Sequence, residues 1–127
     1  MVRVFINGFG RIGRTMLRVH ASGAWPQIDV VGINDIADPE LCAHLFAYDS
    51  VFGPYSGQVN LEHDALVVDG KPIPLTRTED IGTLDLSDVD IVLECTGKAD
   101  SREVAMRGLQ AGARRVLISG PSNAADL

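Results

Sequence analysis

The sequence is short of cysteine, of aromatic residues, of basic charge and of long apolar runs, and each shortage argues against a class of protein. Two cysteines in 127 residues, Cys42 and Cys95, form no CxxC pair. Neither a disulfide framework nor a metal site is therefore expected, and both read as reduced, mostly buried thiols of a cytoplasmic chain. Eleven Lys and Arg stand against seventeen Asp and Glu, for a net charge of −6. That balance argues against nucleic acid and against an anionic membrane as partners, since both want a basic patch. It does not argue against one small anion, because a local cradle of amides overrides net charge. No apolar stretch approaches membrane-spanning length. Gly8 interrupts the N-terminal apolar run too early for a signal peptide.

What is present is globular in character. Hydrophobic residues make up 46% and charged residues 22% of the chain, which suits one domain over residues 1–127 with a real core. No repeat or linker divides it. Val2 to Ile6 reads as a buried strand, and Ile12, Met16 and Val19 then recur at helical spacing from Arg11 to His20. Ile28 to Ile33 reads as a second strand, and Pro39 opens a helix capped by Asp38. Gly53-Pro54 and Ser56-Gly57 mark loop. Gln58-Leu61, Ala65-Val68 and Ile73-Leu75 are short strands, separated by His63-Asp64 and Asp69-Gly70. Those turns favour antiparallel hairpins. Val89 to Cys95 is the clearest buried strand; a helix from a Ser101 cap to Gln110 and a strand from Val116 to Ser119 follow. The sum is a doubly wound α/β fold, a mostly parallel sheet with a small antiparallel hairpin insert.

Gly8-Phe9-Gly10-Arg11-Ile12-Gly13 matches GxGxxG between a strand and a helix. In that context Gly8 permits the tight turn, Gly10 lets the backbone approach a pyrophosphate, and Gly13 lets helix pack on strand. The amides near Arg11 and Ile12, at the positive end of the helix dipole, then face the phosphates. The pattern also needs an acid after the next strand, about 20 residues on. Asp35, after Ile33-Asn34, lies 22 residues beyond Gly13. A carboxylate there accepts from ribose hydroxyls and repels a 2′-phosphate, which favours NAD over NADP. Asp38 competes for this role, but its place before Pro39 suits a helix cap better. Thr96-Gly97 and Ser119 end strands at the same sheet edge, where a ligand lies in such folds. The same residues are also ordinary in strand-to-helix turns.

Val4-Phe5-Ile6-Asn7-Gly8-Phe9-Gly10-Arg11-Ile12-Gly13-Arg14 resembles the N-terminus of phosphorylating glyceraldehyde-3-phosphate dehydrogenases. The likeness continues through Ile33-Asn34-Asp35, Tyr48-Asp49-Ser50, Asp69-Gly70-Lys71-Pro72-Ile73 and Cys95-Thr96-Gly97, and reaches Ala111 to Ser122 in the family's order. Erythrose-4-phosphate dehydrogenases share many of these blocks; Tyr48-Asp49-Ser50-Val51-Phe52-Gly53 is nearer the glyceraldehyde type. The resemblance implies a Rossmann-like NAD-binding domain. Gly8, Gly10, Arg11 and Ile12 would surround the pyrophosphate, Asp35 would hold the adenine ribose, Thr96, Gly97 and Ser119 would line the rest, and Gly13 and Asn34 belong to the same cofactor-binding set. It implies an oxidoreductase in which a cysteine thiolate adds to an aldehyde, hydride passes to nicotinamide and phosphate cleaves the thioester. It also implies a homo-oligomer, a tetramer for the complete enzyme. The sequence departs from the family at Ala99, where an aromatic residue is usual, and at Glu79, where Arg is usual.

The family's nucleophile stands in a Ser-Asn-Ala-Ser-Cys-Thr-Thr-Asn block, and its base histidine in a catalytic domain, both beyond Leu127. No catalytic residue is therefore expected in this chain: Cys42 and Cys95 match no such motif, and His20, His44 and His63 read as surface or packing residues. Two functions follow, a C-terminally truncated NAD-binding portion of such an enzyme, or a free-standing non-catalytic nucleotide-binding or interaction module. A doubly wound fold expects one more strand than Ser119 allows, so an apolar sheet edge beside Val116 to Ile118 is expected to be exposed.

Overall fold

Val4 to Ile6 and Ile91 to Leu93 are apolar at consecutive positions, a pattern stable in a strand only when both faces of its sheet are covered. The computed structural model describes residues 1–97 and 102–119 and covers both faces. In chain order the elements are β1 (Val2–Asn7), α1 (Arg11–Ala21), β2 (Ile28–Asn34), α2 (Pro39–Ala47), β3 (Tyr48–Asp49), β4 (Gly53–Pro54), β5 (Val59–Glu62), β6 (Ala65–Val68) and β7 (Lys71–Thr76). A 3₁₀ turn at Ile81–Thr83, β8 (Ile91–Glu94), α3 (Arg102–Gln110) and β9 (Arg115–Ile118) complete them. The main sheet has seven strands in the order β5-β6-β7-β2-β1-β8-β9. From β7 to β9 all neighbours are parallel, whereas β5, β6 and β7 pair antiparallel.

Strand alternation divides the core in two. Ile6 and Ile33 point into one layer with Leu17 of α1, Cys42 and Phe46 of α2, and Leu66 and Ile73. Phe5 and Val92 point into the other with Ile81, Leu86, Val89, Ala111 and Ala113. Phe46 is the hub of the first layer. It has no exposed surface, stacks on Phe9 at 6.0 Å and meets Tyr55 at 5.1 Å. Arg18 lies over both the Phe46 and Tyr55 rings and donates to Phe46 O and Gly53 O, each at 2.8 Å.

The expected α/β fold is present, with three refinements. The antiparallel insert is not a separate hairpin: Leu75 and Thr76 of β7 continue in parallel beside Ile33 and Asn34 of β2. Pro72 and Pro74 lie before that shared stretch, opposite β6 alone, so their missing N–H groups cost the β2 ladder nothing. The segment read as loop around Gly53-Pro54 is a ribbon, Tyr48 opposite Pro54 and Asp49 opposite Gly53. Its turn closes because the Asp49 carboxylate accepts from the Val51 and Phe52 amides at 2.7 and 2.9 Å. Finally, β8 is shorter than the Val89 to Cys95 run, because Val89 N donates to Leu86 O in a turn. Both hairpin turns fall as expected, with His63, Asp69 and Gly70 at positive φ.

Asp38 caps α2 by accepting from Glu40 N at 2.9 Å. The Ser101 cap, Ala99 and everything beyond Ser119 lie outside the described residues. Among the described residues β9 is an edge strand, with Leu117 58% exposed. Truncating Phe46 to Ala should lower unfolding stability by about 3–5 kcal/mol, since the ring's neighbours from three elements cannot collapse into the gap. Urea unfolding of the variant measures this; a loss below about 1 kcal/mol would contradict the hub role.

Candidate functional site

Strand order reverses at β1: β2 follows it on one side, and β8, later in the chain, lies on the other. Loops leaving these strands diverge there, which opens a crevice at their carboxyl ends. Gly8, at φ +96°, makes the turn out of β1. A Cβ on it would lie 2.7 Å from the Cys95 carbonyl carbon and the Thr96 nitrogen. A Cβ on Gly13 would lie 2.4 Å from Gly8 O, so α1 seats on the turn only because that position is bare. Gly10 differs: a Cβ there meets nothing within 4 Å.

The turn is tied to β2. Gly8 N donates to Asn34 O at 2.8 Å, and Phe9 N donates to Asp35 Oδ2 at 2.6 Å. The other Asp35 oxygen accepts from Ala37 N at 2.8 Å. Arg14 Nη1 braces the turn from behind by donating to Phe9 O at 3.0 Å. α1 itself has Gly10 as its N-cap, with no side-chain cap and no acid in its first turn. Its leading amides are therefore left to whatever anion lies before them.

Beneath the turn runs a buried polar row. Glu94, 2% exposed, accepts from Asn7 Nδ2 at 2.8 Å and from Thr96 Oγ1 at 2.5 Å. Asn7 Oδ1 accepts from Asn34 Nδ2 at 2.9 Å. Asn34 Oδ1 in turn accepts from Thr76 Oγ1 at 2.8 Å and from Thr78 N at 3.0 Å.

Above the row lies a cleft of about 590 Å³. Of the residues singled out from sequence, Gly8, Gly10, Asn34, Asp35 and Thr96 line it. The Asn34 side chain is spent on the polar row, so toward the cleft it acts chiefly as support. Gly13 packs beneath the turn. Arg11 and Ile12 are exposed in the first turn of α1, Gly97 follows Thr96 at φ +75°, and Ser119 is exposed after β9. None of these five lines the cleft. Sequence reasoning passed over Asn7, Glu94, Thr78, Val104 and Arg107. The first two carried a signal, since a strand-end Asn and Glu inside apolar runs need buried partners.

Cys95 also lines the cleft. Burial raises its thiol pKa against the lowering effect of a hydrogen bond with Ser119. Cys42 lies in the core, where burial, reinforced by Asp35, pushes its thiol up to about 11. In both, the upward shift favours the protonated thiol over the thiolate. Among the described residues no group of three or more His, Cys, Asp or Glu could hold a metal ion. No helix among them is long and apolar enough to cross a membrane.

A glycine turn leading into an uncapped helix, beside an acid ending the next strand at the switch point of a doubly wound sheet, is the architecture of the Rossmann-type dinucleotide-binding domains. Comparison with known proteins narrows that class. Residues 2–102 match the family described as glyceraldehyde 3-phosphate dehydrogenase, NAD binding domain, and the chain belongs to that family. A glyceraldehyde-3-phosphate dehydrogenase of Xanthobacter flavus is 46% identical over 99% of this chain and 38% of its own length. One from Thermotoga maritima is 44% identical over 100% of this chain and 39% of its own. A cytosolic one from Leishmania mexicana is 46% identical over 95% and 37%. The chain thus spans less than two fifths of the length of these relatives.

Two outcomes test this site. Glu94→Ala leaves the Asn7 amide and the Thr96 hydroxyl without their shared acceptor and should cost about 2–4 kcal/mol of stability; a change under about 0.5 kcal/mol in chemical denaturation would refute the row's importance. With a pKa near 11, Cys42 at pH 8 is thiolate in only about one molecule in a thousand. Buried as well, it should react with a thiol reagent at least about a hundredfold more slowly in the native chain than in denaturant, and equal rates would disprove that.

Proposed function

We propose that this chain binds NAD as the single cofactor-binding domain, residues 1–127, of a glyceraldehyde-3-phosphate dehydrogenase-type oxidoreductase. The observation that carries the reading is the cleft itself, which bare Gly10, the N-cap of an α1 that has no side-chain cap, lines together with Asp35. These residues fit the cofactor. The leading amides of α1 suit a pyrophosphate, and Gly10 lets it approach, with Gly8, Arg11 and Ile12 completing the turn around it. Asp35, held by two backbone N–H groups, keeps lone pairs for a ribose diol and opposes a 2′-phosphate. Gly13 and Asn34 support this surface from below, and Thr96, Gly97 and Ser119 border its far side.

Bound there, the nicotinamide ring would accept the hydride that leaves the substrate. In the complete enzyme the reaction would be aldehyde oxidation coupled to phosphorylation through a cysteine thioester. This chain's contribution is to bind and orient the cofactor, without supplying the nucleophile. A cytoplasmic homo-oligomer, tetrameric in the complete enzyme, is the assembly this reading implies.

Calorimetric titration of the 127-residue chain should show saturable NAD binding, with NADP at least about tenfold weaker. Gly10→Val should keep the fold, because nothing within 4 Å meets its Cβ. It should also lower NAD affinity at least about tenfold by filling the approach to the amides. No heat with NAD, or equal binding of both nucleotides, would sink the reading.

A further inference from the structure

Arg107 on α3 lines the cleft and has no part in the site as so far assigned. None of the described lining residues is aromatic, so they bring no ring to meet a nucleobase. Ile36 and Val104 offer apolar surface there, and Arg107 brings the one extended planar group.

The guanidinium is fixed along its edge. Nη1 donates to Glu79 O at 3.0 Å, and Nε lies 3.5 Å from Asp80 Oδ1. That same Asp80 oxygen accepts from Gly82 N at 2.8 Å, so the anchor is itself held by the 3₁₀ turn. With Nη1 committed to a carbonyl and the Asp80 carboxylate beside Nε answering its charge, this arginine is drawn less to a phosphate than a free one would be. Its faces stay available for stacking on an aromatic ring. The side chain is 24% exposed, which fits a group buried along one edge and open on a face. The tie to Glu79 and Asp80 also joins α3 to the loop after β7, so the two cleft walls hold a fixed gap between them.

We propose that Arg107 forms one side of a slot for the adenine base of the dinucleotide, stacking its guanidinium plane on the ring while Ile36 and Val104 supply apolar contact. This rests on the dinucleotide reading above. Stacking accepts any purine, so Arg107 sets affinity for the adenosine half and leaves the choice between NAD and NADP to Asp35.

The test titrates NAD and ADP-ribose, which share the adenosine half, into the full chain and into Arg107→Ala and Arg107→Lys. Thermal unfolding of each unliganded protein is measured alongside. Alanine should weaken both ligands about tenfold. Lysine retains the charge but not the plane, so it should recover less than half of that loss on a logarithmic scale. The unliganded midpoints should stay close to that of the unaltered chain. Unchanged affinity in the alanine variant would overturn the proposal. So would full recovery by lysine, which would mean that a point charge suffices, or a loss of affinity that merely tracks lost stability. If the unaltered chain binds neither ligand, the dinucleotide reading itself falls and takes this proposal with it.

Discussion

A carboxylate buried under the glycine turn sets the geometry of this domain. Glu94 has almost no contact with water, and an unpaired charge there would cost several kcal/mol. It therefore holds the Asn7 amide and the Thr96 hydroxyl as donors. Asn7, having turned its NH2 group to the carboxylate, presents its oxygen to Asn34, which must offer nitrogen in return. The orientation of each amide follows from the one before it. The four strand residues are also ladder partners: Glu94 stands opposite Asn7, Asn7 opposite Asn34, and Asn34 opposite Thr76. A slip of one residue anywhere in this row would turn a polar group into the apolar core, so the row pins the register of β8, β1, β2 and β7 together.

The consequences reach the cleft directly, because the row ends where the loops begin. Gly8 follows Asn7 and Asp35 follows Asn34, so fixing the row fixes where the turn and the acid emerge. The bond from Phe9 N to Asp35 then closes the two loops on each other. The site's precision thus comes from sheet register below it, with loop residues such as Gly10 left bare at the surface. This is why a site made of loops can be rigid.

Local features of this arrangement were legible in the sequence, and long-range ones were not. Gly8, Gly10 and Gly13 each sit in the surroundings their spacing implies, because a strand-turn-helix is specified within a dozen residues. The Asp69-Gly70 turn and the Asp38 cap were readable for the same reason. The joining of β7 to β2 was not, since it depends on a parallel pairing 42 residues apart in sequence. Arg107 was equally hidden: its spacing marks an ordinary helix residue, and only packing brings it to Glu79, 28 residues away. Asn7 read as the end of one strand and Glu94 as a residue within another, and their partnership across 87 residues appears only once the sheet is assembled.

The shortage of basic residues acquires a narrower meaning against this geometry. A net charge of −6 is spread over a surface where salt screens charges beyond about 8 Å. It therefore acts mainly on the approach of a ligand and little on its seating. Seating is decided at contact distance, where the leading amides of α1 carry about half a positive charge and no capping side chain or first-turn acid offsets it. Asp35 is the negative group bonded to the glycine turn, and two backbone N–H groups already draw on its charge. A polyanion needs many cations in a row. A diphosphate needs one helix terminus at close range, which an acidic chain supplies as well as a basic one.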